Sequence, residues 1–287
     1  MLTVKAFAKL NLSLEVIGRR SDGYHSLVSL MQTVGLHDTL AVSEAGALRV
    51  RCDAAGLSGR SNLAWRAALA VGNELGVPAR CSIELTKRIP TAAGLGGGSS
   101  DAAATLVALQ RLWGRQTSCD RLARIAASVG SDVPYFLYGG LCLVEGRGER
   151  ITPVATPVEC WYVLANPGIA VSTARVFAEL GPDEWTDGGI TRDLAARAAR
   201  DPLQPGINGL QAALFRLYPA ARECFELVRR VAPDQVAISG SGPTVFAVFE
   251  TFDDAERMRR KLAPQVPWTA VTPAVIPTRE EAPCRAA

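Results

Sequence analysis

Histidine is scarce in this sequence of 287 residues, and its scarcity narrows the chemistry that the chain can perform. Two histidines, His25 and His37, are too few for a zinc site of the usual cysteine and histidine spacing. A Ser-His-Asp hydrolase would have to use one of them, and the sequence has no GxSxG motif for the nucleophile. Zinc proteins and serine hydrolases are therefore poor candidates.

Disulfide frameworks and membrane spans are also lacking. The seven cysteines are odd in number, widely separated and without a CxxC pair, so we interpret them as mostly small core residues of a reduced protein. No run of about 18 apolar residues is present, so no transmembrane helix is expected. Lys5, Lys9 and Asn11 interrupt the N-terminal segment, which argues against a signal peptide. We expect a cytoplasmic protein with no membrane partner.

Lysine is rare among the basic residues, which makes a lysine in a motif informative. Of 31 lysines and arginines, only Lys5, Lys9, Lys87 and Lys261 are lysines. The net charge of +3 is small and the arginines are dispersed, so we expect no nucleic-acid partner. Apolar residues make up 48% and charged residues 21%, as in a globular protein of one large domain or two medium ones.

The first half of the chain mixes strand and helix patterns. Residues 10–16 alternate apolar and polar side chains, which is the period of a half-buried strand. Other strands are predicted over residues 40–42 and 48–50, as a pair, 81–85 and 141–145. Helices are predicted over residues 61–76, capped by Ser61 or Asn62, 99–113, capped by Ser99 or Ser100 with Asp101 in the first turn, and 120–129.

The second half continues the mixture, and the lack of a regular βαβ rhythm predicts an α+β fold. Prolines around residues 150–165 favour a domain boundary, so we divide the chain into residues 1–155 and 156–287. The tail from residue 276 is expected to be loose. Helices are predicted over residues 175–180, 206–230 and 253–262, and strands over residues 236–238 and 245–249.

A glycine-rich loop precedes the strongest predicted helix. Four of the five residues from Gly94 to Gly98 are glycine, which removes side chains where the backbone must approach a ligand. The free N–H groups of the following helix point back at the loop and make it a candidate phosphate cradle. The loop fits neither GxxxxGK[ST] nor GxGxxG, so a different phosphate-binding architecture is indicated. A glycine-rich turn with serine helix caps is the alternative.

Two further segments carry residues suited to phosphoryl transfer. Lys9 and Asn11 are two residues apart in a predicted strand and therefore share one face, where they offer a positive charge and an amide. A solvated strand face is the simpler interpretation of that pair. Asp132, in the segment Gly130-Ser131-Asp132-Val133-Pro134, is a candidate acceptor for the proton of an alcohol, with a turn or cap role as the alternative.

Two turns complete the set of candidate ligand contacts. Tyr24 and His25 follow an Asp-Gly turn and are suited to stack on a base or hydrogen-bond to it. A hairpin turn with exposed aromatic residues is the simpler interpretation. The segment Ser239-Gly240-Ser241-Gly242-Pro243 is either a tight hairpin connection or a second loop that approaches a ligand closely.

These segments, in this order, resemble the GHMP kinase superfamily, which includes galactokinase, homoserine kinase and mevalonate kinase. Its PxxxGLGSSA-like motif is matched over residues 90–102. The run AKLNLSLEVIGRRSDGYH from Ala8, with GSDVPYFLYGG, NPG and SGSGP further on, is similar to the branch that acts on 4-diphosphocytidyl-2-C-methyl-D-erythritol. The resemblance extends over most of the chain, from residue 5 to residue 250.

The resemblance implies a ribosomal-protein-S5-like N-terminal domain, a ferredoxin-like C-terminal domain and an active site between them. It implies ATP-dependent phosphorylation of the 2-hydroxyl of that substrate with Mg²⁺, in the non-mevalonate route to isoprenoids. Lys9 and Asp132 would be the catalytic pair, and neither metal ligands nor an oligomeric state are predicted. The ATP phosphates would lie against Pro90, Thr91, Ala92, Ala93, Gly94, Leu95, Gly96, Gly97, Gly98, Ser99 and Ser100. The substrate would lie against Asn11, Tyr24, His25, Phe177, Ser239 and Gly240.

Three alternatives stay open at this point. A GHMP kinase for another alcohol, such as homoserine or a mevalonate derivative, is opposed by the AKLNL and DGYH segments. A catalytically inactive nucleotide-binding protein on the same fold is opposed by the presence of both Lys9 and Asp132. A nucleic-acid binder is opposed by the low charge. Family members often carry an Asn-Asp-Leu run where this sequence has Asn208-Gly209-Leu210, so a role for that acid is in doubt here.

Overall fold

The computed structural model describes residues 1–154, 159–198, 200, 204–232 and 235–285. Strands and helices are mixed along the chain, which confirms the α+β class. The strands are β1 (Leu2–Arg19), β2 (His25–Glu44), β3 (Arg49–Cys52), β4 (Cys81–Thr86), β5 (Leu141–Gly146), β6 (Arg150–Pro153), β7 (Trp161–Asn166), β8 (Val236–Ile238), β9 (Val245–Phe249) and β10 (Trp268–Pro273). The helices are α1 (Leu63–Leu75), α2 (Gly97–Leu112), α3 (Cys119–Val129), α4 (Thr173–Ala178), α5 (Gly189–Arg197), α6 (Gln211–Leu217), α7 (Pro219–Val231) and α8 (Phe252–Leu262).

Two long antiparallel strands organise the N-terminal sheet. In the described part of the chain this sheet has six strands in the order β3-β4-β2-β5-β6, with β1 also paired to β2. The register of β1 against β2 shifts at three places, one of them between Asn11 and Ser13. Bulges of this kind bend and twist a strand pair and often lie beside functional sites. Asn11 and its neighbour Lys9 therefore lie where β1 departs from regular pairing.

Helices α1, α2 and α3 pack against this sheet. α1 buries small side chains and ends at Gly76, which has the left-handed conformation (φ 65°), with Asn62 as its N-cap, as the sequence predicted. α2 is buried along its length from Ser100 to Gln110. Its small and aliphatic side chains belong to the N-terminal hydrophobic core. Because the central turns of α2 are buried on every side, the position of its N-terminus is set by the packing of the whole helix.

The C-terminal sheet has the ferredoxin-like arrangement. Its strands, as far as the chain is described, follow the order β10-β7-β9-β8, and the neighbouring pairs are antiparallel. In chain order this is 4-1-3-2, with α8 between the last two strands and helices α4 to α7 between the first two. α7 and α8 bury apolar faces against the sheet. The ferredoxin-like prediction for this half is confirmed.

Strand β1 joins the two sheets. Leu10 and Leu12 of β1 share a core with Tyr162 of β7 and Phe246 of β9. Leu14, further along β1, makes an isolated parallel bridge to Asn208. The predicted boundary between residues 155 and 156 lies outside the described residues and stays a prediction. The shared core places β1, which carries Lys9 and Asn11, between the two halves.

Several local predictions were wrong, either because strands paired differently in the folded sheet or because a local signal was missed. Residues 40–42 belong to β2 and pair with β1 and β4, whereas β3 pairs in parallel with β4. The predicted helix over 206–230 is divided at Tyr218, because Pro219 lacks an N–H group and begins a new helix. Strands β7 and β10 and helix α5 were not predicted.

The described part of the tail, residues 276–285, makes specific contacts with the N-terminal half, contrary to the expectation of a loose segment. The N–H group of Cys284 donates to the carbonyl of Leu137 at 2.9 Å. The guanidinium group of Arg285 donates to the carbonyl of Gly139 at 2.8 Å, and Ala282 is buried. The tail therefore covers the segment that follows Asp132.

Candidate active site

The glycine-rich loop ends in an uncapped helix N-terminus. Gly96, with φ +71°, is the N-cap of α2, and no side chain accepts from the first turn. The predicted caps were wrong, because Ser99 and Ser100 lie inside the helix. Asp101, predicted in the first turn, is the fifth helical residue and is buried. The first N–H groups of α2 therefore have no side-chain cap and are free to bind an anion.

Close packing explains two of the glycines. A Cβ at Gly96 would lie 2.8 Å from Cζ of Phe136 and 3.1 Å from Cγ of Lys9. A Cβ at Gly94, where φ is +76°, would overlap the carbonyl oxygen of Ser239. The loop is thus held between β1 on one side and the second glycine turn, residues 239–242, on the other.

Lys9 lies at the centre of the candidate site. Its Nζ donates to Oδ1 of Asn11 at 2.5 Å and to the carbonyl of Gly94 at 2.9 Å, and stands 3.7 Å from Oδ2 of Asp132. The prediction that Lys9 and Asn11 share a face is confirmed, and the alternative of a solvated face is wrong, because both are buried. Lys9 therefore links β1, the glycine loop and Asp132.

The electrostatic environment of Lys9 combines burial with one nearby carboxylate. Burial lowers the pKa of Lys9, and the nearby charge of Asp132 opposes that shift. The side chain of Lys9 is 4% exposed, whereas that of Asp132 is 35% exposed. Asp132 is consequently the member of the pair that a ligand can reach.

The position of Asp132 is set by a short buried segment. It follows α3, whose C-cap is Gly130, and precedes a 3₁₀ turn at Pro134–Leu137. The hydroxyl of Tyr135 donates to the carbonyl of Gly140 at 2.7 Å and lies 2.8 Å from Oγ1 of Thr33. Val133 and Tyr135 are fully buried, so the backbone beside Asp132 is anchored to the sheet.

A chain of hydrogen bonds orients Asn11. Its Nδ2 donates to Oγ of Ser29 at 2.7 Å, and that hydroxyl donates to the carbonyl of Ser13 at 2.7 Å. The carbonyl oxygen of the Asn11 amide is thereby turned toward Lys9. Ser29 was not predicted, because its contact with Asn11 depends on the pairing of β2 with β1.

The second glycine turn closes on the first. Oγ of Ser239 donates to the carbonyl of Gly94 at 2.9 Å and accepts from the N–H of Asn11 at 3.2 Å. A Cβ at Gly240 would lie 3.1 Å from Oδ1 of Asn11. Asn208, also not predicted, donates from Nδ2 to the carbonyls of Ile238 and Gly240, both at 2.8 Å. Ser239 is fully buried, so its hydroxyl holds the two loops together.

The predicted aromatic residues meet near the hairpin between β1 and β2. The rings of His25 and Phe177 are stacked, with centroids 5.2 Å apart and planes 29° apart. Tyr24 is 52% exposed, and the guanidinium carbon of Arg147 lies 5.1 Å from its ring centroid. Burial and the charge of Arg19 lower the pKa of His25, so its imidazole is neutral at pH 7. The structure brings His25 and Phe177 together although they are 152 positions apart in the sequence (177 − 25).

Comparisons with known proteins decide the family. Residues 62–140 match the GHMP kinases N terminal domain and residues 189–266 the GHMP kinases C terminal domain. The 4-diphosphocytidyl-2-C-methyl-D-erythritol kinase of Bacillus pumilus (strain SAFR-032) is 39% identical over 260 residues, covering 88% of this chain and 90% of that protein. The protein of the same name from Bacillus cereus (strain AH187) is 40% identical over 255 residues, covering 86% and 88%. The chain belongs to the 4-diphosphocytidyl-2-C-methyl-D-erythritol kinase family of the GHMP kinases.

Solved structures agree with this placement. A crystal structure of a 4-(cytidine 5'-diphospho)-2C-methyl-D-erythritol kinase matches with a TM-score of 0.82 and 35% identity, over 96% of this chain and all of that one. Homoserine kinase from Cytophaga hutchinsonii matches with a TM-score of 0.68 at 19% identity, over 96% of this chain and 95% of that one, and shows the shared fold. Both halves of this GHMP kinase therefore have the predicted architecture. No helix in the described ranges is long and apolar enough to cross a membrane.

A buried ionic cluster of this kinase was not predicted. Nζ of Lys87 lies 2.5 Å from Oδ2 of Asp38 and 2.6 Å from Oδ2 of Asp101. Burial raises the pKa of Asp101 to about 7, with Lys87 opposing the shift and Asp38 adding to it. The rarity of lysine in the sequence was the one signal that pointed toward Lys87.

The stability of this kinase is expected to fall as the pH rises toward 7. The pKa of Asp101 is higher in the folded protein than in the unfolded chain, so its contribution is complete below about pH 4 and is lost through about pH 7. Asp101→Asn, which stays uncharged, should lose about 3 °C less in melting temperature than the wild type between pH 5 and pH 8. The control is Asp183→Asn at an exposed site. Parallel curves for the wild type and Asp101→Asn would contradict this prediction.

Proposed function

We propose that this kinase transfers the γ-phosphoryl group of ATP to the 2-hydroxyl of 4-diphosphocytidyl-2-C-methyl-D-erythritol. The observation that carries the proposal is the Lys9–Asp132 pair, at 3.7 Å, beside the uncapped start of α2. The names of relatives at 39% and 40% identity support the choice of substrate. The acceptor hydroxyl would then lie between Asp132 and the nucleotide.

The start of α2 is suited to the nucleotide phosphates. Its N–H groups lack a side-chain cap, and the dipole of the helix favours negative charge there. The glycines remove the side chains that would fill the space, and the left-handed conformation of Gly96 turns the chain into the helix. The loop from Pro90 to Ser100 therefore serves as the proposed ATP site.

Asp132 is the proposed acceptor for the proton of the substrate hydroxyl. Its carboxylate is partly exposed and lies 3.7 Å from the ammonium group of Lys9. Lys9 is held by Asn11 and by the carbonyl of Gly94, so it fixes the distance between Asp132 and the loop. Because phosphoryl transfer depends mainly on positioning and electrostatic stabilisation, this geometry is the main contribution of the protein.

Mg²⁺ is the proposed metal, and it would spread the charge of the transferred phosphoryl group. Among the described residues no group of three or more histidine, cysteine, aspartate or glutamate side chains is arranged to hold a metal ion. This fits Mg²⁺, which in kinases takes most of its ligands from nucleotide phosphates and water. Ser99, partly exposed in the first turn of α2, offers a hydroxyl oxygen of the right kind.

The stacked rings of His25 and Phe177 are the proposed site for the cytosine end of the substrate. A neutral imidazole and a phenyl ring offer flat faces to a base. Tyr24 is exposed beside them. This places base recognition near the β1–β2 hairpin and phosphoryl transfer near Lys9, along the same strand pair.

Phe177→Ala is expected to raise KM for the cytidine substrate about tenfold, because stacking on a base contributes ~1–3 kcal/mol. KM for ATP should change by less than about twofold, since the loop at α2 is untouched. Phe252→Ala, at a 48% exposed phenylalanine of the same half, is the matched control. Steady-state kinetics with each substrate varied in turn would measure both effects. An increase confined to KM for ATP would exclude the cytosine site.

The proposed compartment is the cytoplasm. All seven cysteines are free, including the buried Cys81, Cys142, Cys160 and Cys224. Free cysteines in this number are typical of proteins in a reducing compartment. The negligible net charge and the small-molecule substrate favour an enzyme with no nucleic-acid partner.

The decisive assay is ADP release from ATP and Mg²⁺ with three acceptors: 4-diphosphocytidyl-2-C-methyl-D-erythritol, homoserine and mevalonate. The expected result is turnover with the cytidine substrate alone. Turnover with another alcohol would overturn the proposed substrate. Nucleotide binding without turnover on any acceptor would overturn the proposed activity. A shift of melting temperature with CDP would test the cytidine site independently.

A further inference from the structure

A buried cluster of three charged side chains lies behind the glycine loop and takes no part in the proposed chemistry. Asp38 is in β2, Lys87 follows β4 and Asp101 is in α2. Their side chains are 0%, 8% and 2% exposed. The cluster contains two carboxyl groups and one ammonium group. Removing such groups from water costs desolvation energy, so we ask what the cluster does for the protein.

Asp38 holds the chain where it enters the loop. Its Oδ1 accepts from the N–H groups of Arg88 and Ile89, at 2.5 and 2.9 Å. Ile89 is the residue immediately before the loop begins at Pro90, and it is buried. Oδ1 of Asp38 therefore fixes the backbone of the two residues that lead into the loop.

Lys87 connects the same carboxylate to the far side of the loop. Its Nζ donates to Oδ2 of Asp38 and to Oδ2 of Asp101, one turn into α2. A Cβ at Gly97 would lie 3.4 Å from this Nζ, so the ammonium group also stands next to the first helical residue. The two ends of the loop are thus tied to each other through Lys87.

The cluster is more polar than fold stability alone requires. Oδ1 of Asp101 is buried and has no hydrogen-bond partner. Burying an unpartnered carboxylate oxygen opposes folding, and an apolar cluster of similar volume often stabilises a protein as well or better. The arrangement does, however, hold a glycine-rich loop without using a side-chain cap that would block the free N–H groups of α2.

We propose that Asp38, Lys87 and Asp101 form a positioning triad, in which Lys87 joins the two ends of the glycine loop and so holds the first turn of α2 in the geometry that binds nucleotide phosphates. This inference rests on the proposed ATP site. None of the three residues touches the Lys9–Asp132 pair in any described contact. Their effect is on the loop, and through it on the nucleotide.

Asp101→Asn is the first test, because asparagine keeps the shape of the side chain but cannot ionise beside Lys87. The expected result is an increase of about tenfold in KM for ATP and in the Kd for ADP, with KM for the acceptor alcohol changed less than about twofold. Asp38→Asn, which keeps an Oδ1 acceptor for Arg88 and Ile89 but replaces the oxygen that accepts from Lys87, is expected to have a similar effect. ADP affinity is measured by calorimetry, without any acceptor present.

A variant that is destabilised at a site far from the loop distinguishes loop positioning from a general loss of stability. Val228→Ala removes buried methyl groups from α7, in the other core, and lowers the melting temperature without reaching the loop. It is expected to leave the Kd for ADP unchanged. In Asp101→Asn, amide hydrogen exchange should rise at residues 100–102, where the N–H group of Ser100 donates to the carbonyl of Gly96 at 2.9 Å, and stay unchanged in α7, whereas a global loss of stability would raise both.

Each outcome decides the proposal. A lower melting temperature with an unchanged Kd for ADP in both aspartate variants would reduce the triad to a structural element and overturn the inference. If Asp38→Asn does not fold, Asp101→Asn and Lys87→Met answer the same question. Wild-type protein that binds ADP but does not phosphorylate the cytidine substrate would overturn the proposed substrate alone. Wild-type protein that binds no nucleotide would overturn the ATP site and this inference with it.

Discussion

Replacing Asp132 with asparagine is expected to lower kcat about 1000-fold while KM for each substrate changes by less than about threefold. Asparagine keeps the size of the side chain and its exposure, but it cannot take a proton from the acceptor hydroxyl. The ammonium group of Lys9, 3.7 Å away, would also lose its carboxylate partner in a buried position. Steady-state ADP release with the cytidine substrate measures both constants.

The matched control for that variant is Asp120→Asn, an exposed residue in the first turn of α3, which precedes Asp132. It should retain nearly full activity. Lys9→Met removes the ammonium group that links Asp132 to the glycine loop and should lower kcat by a similar factor. A kcat near the wild-type value in Asp132→Asn would reject the role of base and leave the rate to positioning alone.

Replacing Gly94 with alanine is expected to lower kcat/KM for ATP at least about 100-fold and to destabilise the protein by about 3 kcal/mol. The new Cβ would overlap the carbonyl oxygen of Ser239 and lie 3.0 Å from that of Gly242. It would also sit at φ +76°, a conformation that side chains disfavour. The atoms that would meet the new Cβ belong to the backbone of the second glycine turn. The two loops could move apart only by breaking the hydrogen bonds that Ser239 makes with Gly94 and Asn11.

Gly46→Ala provides the comparison, because a Cβ at that position meets no atom within 4 Å and its φ is not positive. Gly94→Ala should have a lower kcat/KM for ATP and a lower melting temperature than Gly46→Ala. Full activity and an unchanged melting temperature in Gly94→Ala would show that the two loops are not in contact as described.

The parts of the fold that were predicted correctly depend on local pattern. α1 begins after Asn62 and ends at Gly76 because capping and glycine conformation act over a few residues. The alternation over residues 10–16 correctly predicted a strand, but the expected half-buried strand was wrong, because packing between the two sheets buries both faces of β1 there. The two-residue period of a strand also places Lys9 and Asn11 on one face. Secondary structure of this kind is set by neighbours in the chain.

The start of α2 shows where local reasoning failed. Serine is a preferred N-cap, so Ser99 and Ser100 were the natural choice. The helix begins two residues before Ser99, and its N-cap Gly96 has a left-handed conformation and lies so close to Phe136 and Lys9 that a Cβ would not fit. Those two residues are 40 and 87 positions away from Gly96, and no window along the chain contains them (136 − 96 and 96 − 9).

The sequence, through its motifs and their order, was sufficient for the family, the α+β class and the identity of the candidate residues Lys9 and Asp132. These features depend on residue type and spacing along the chain. Burial of Lys9 and Asn11, the contact of Ser239 with Gly94, and the cluster of Asp38, Lys87 and Asp101 were decided only when the two sheets packed around β1. Their energies arise from desolvation and from contacts between distant segments, which exist only in the folded protein.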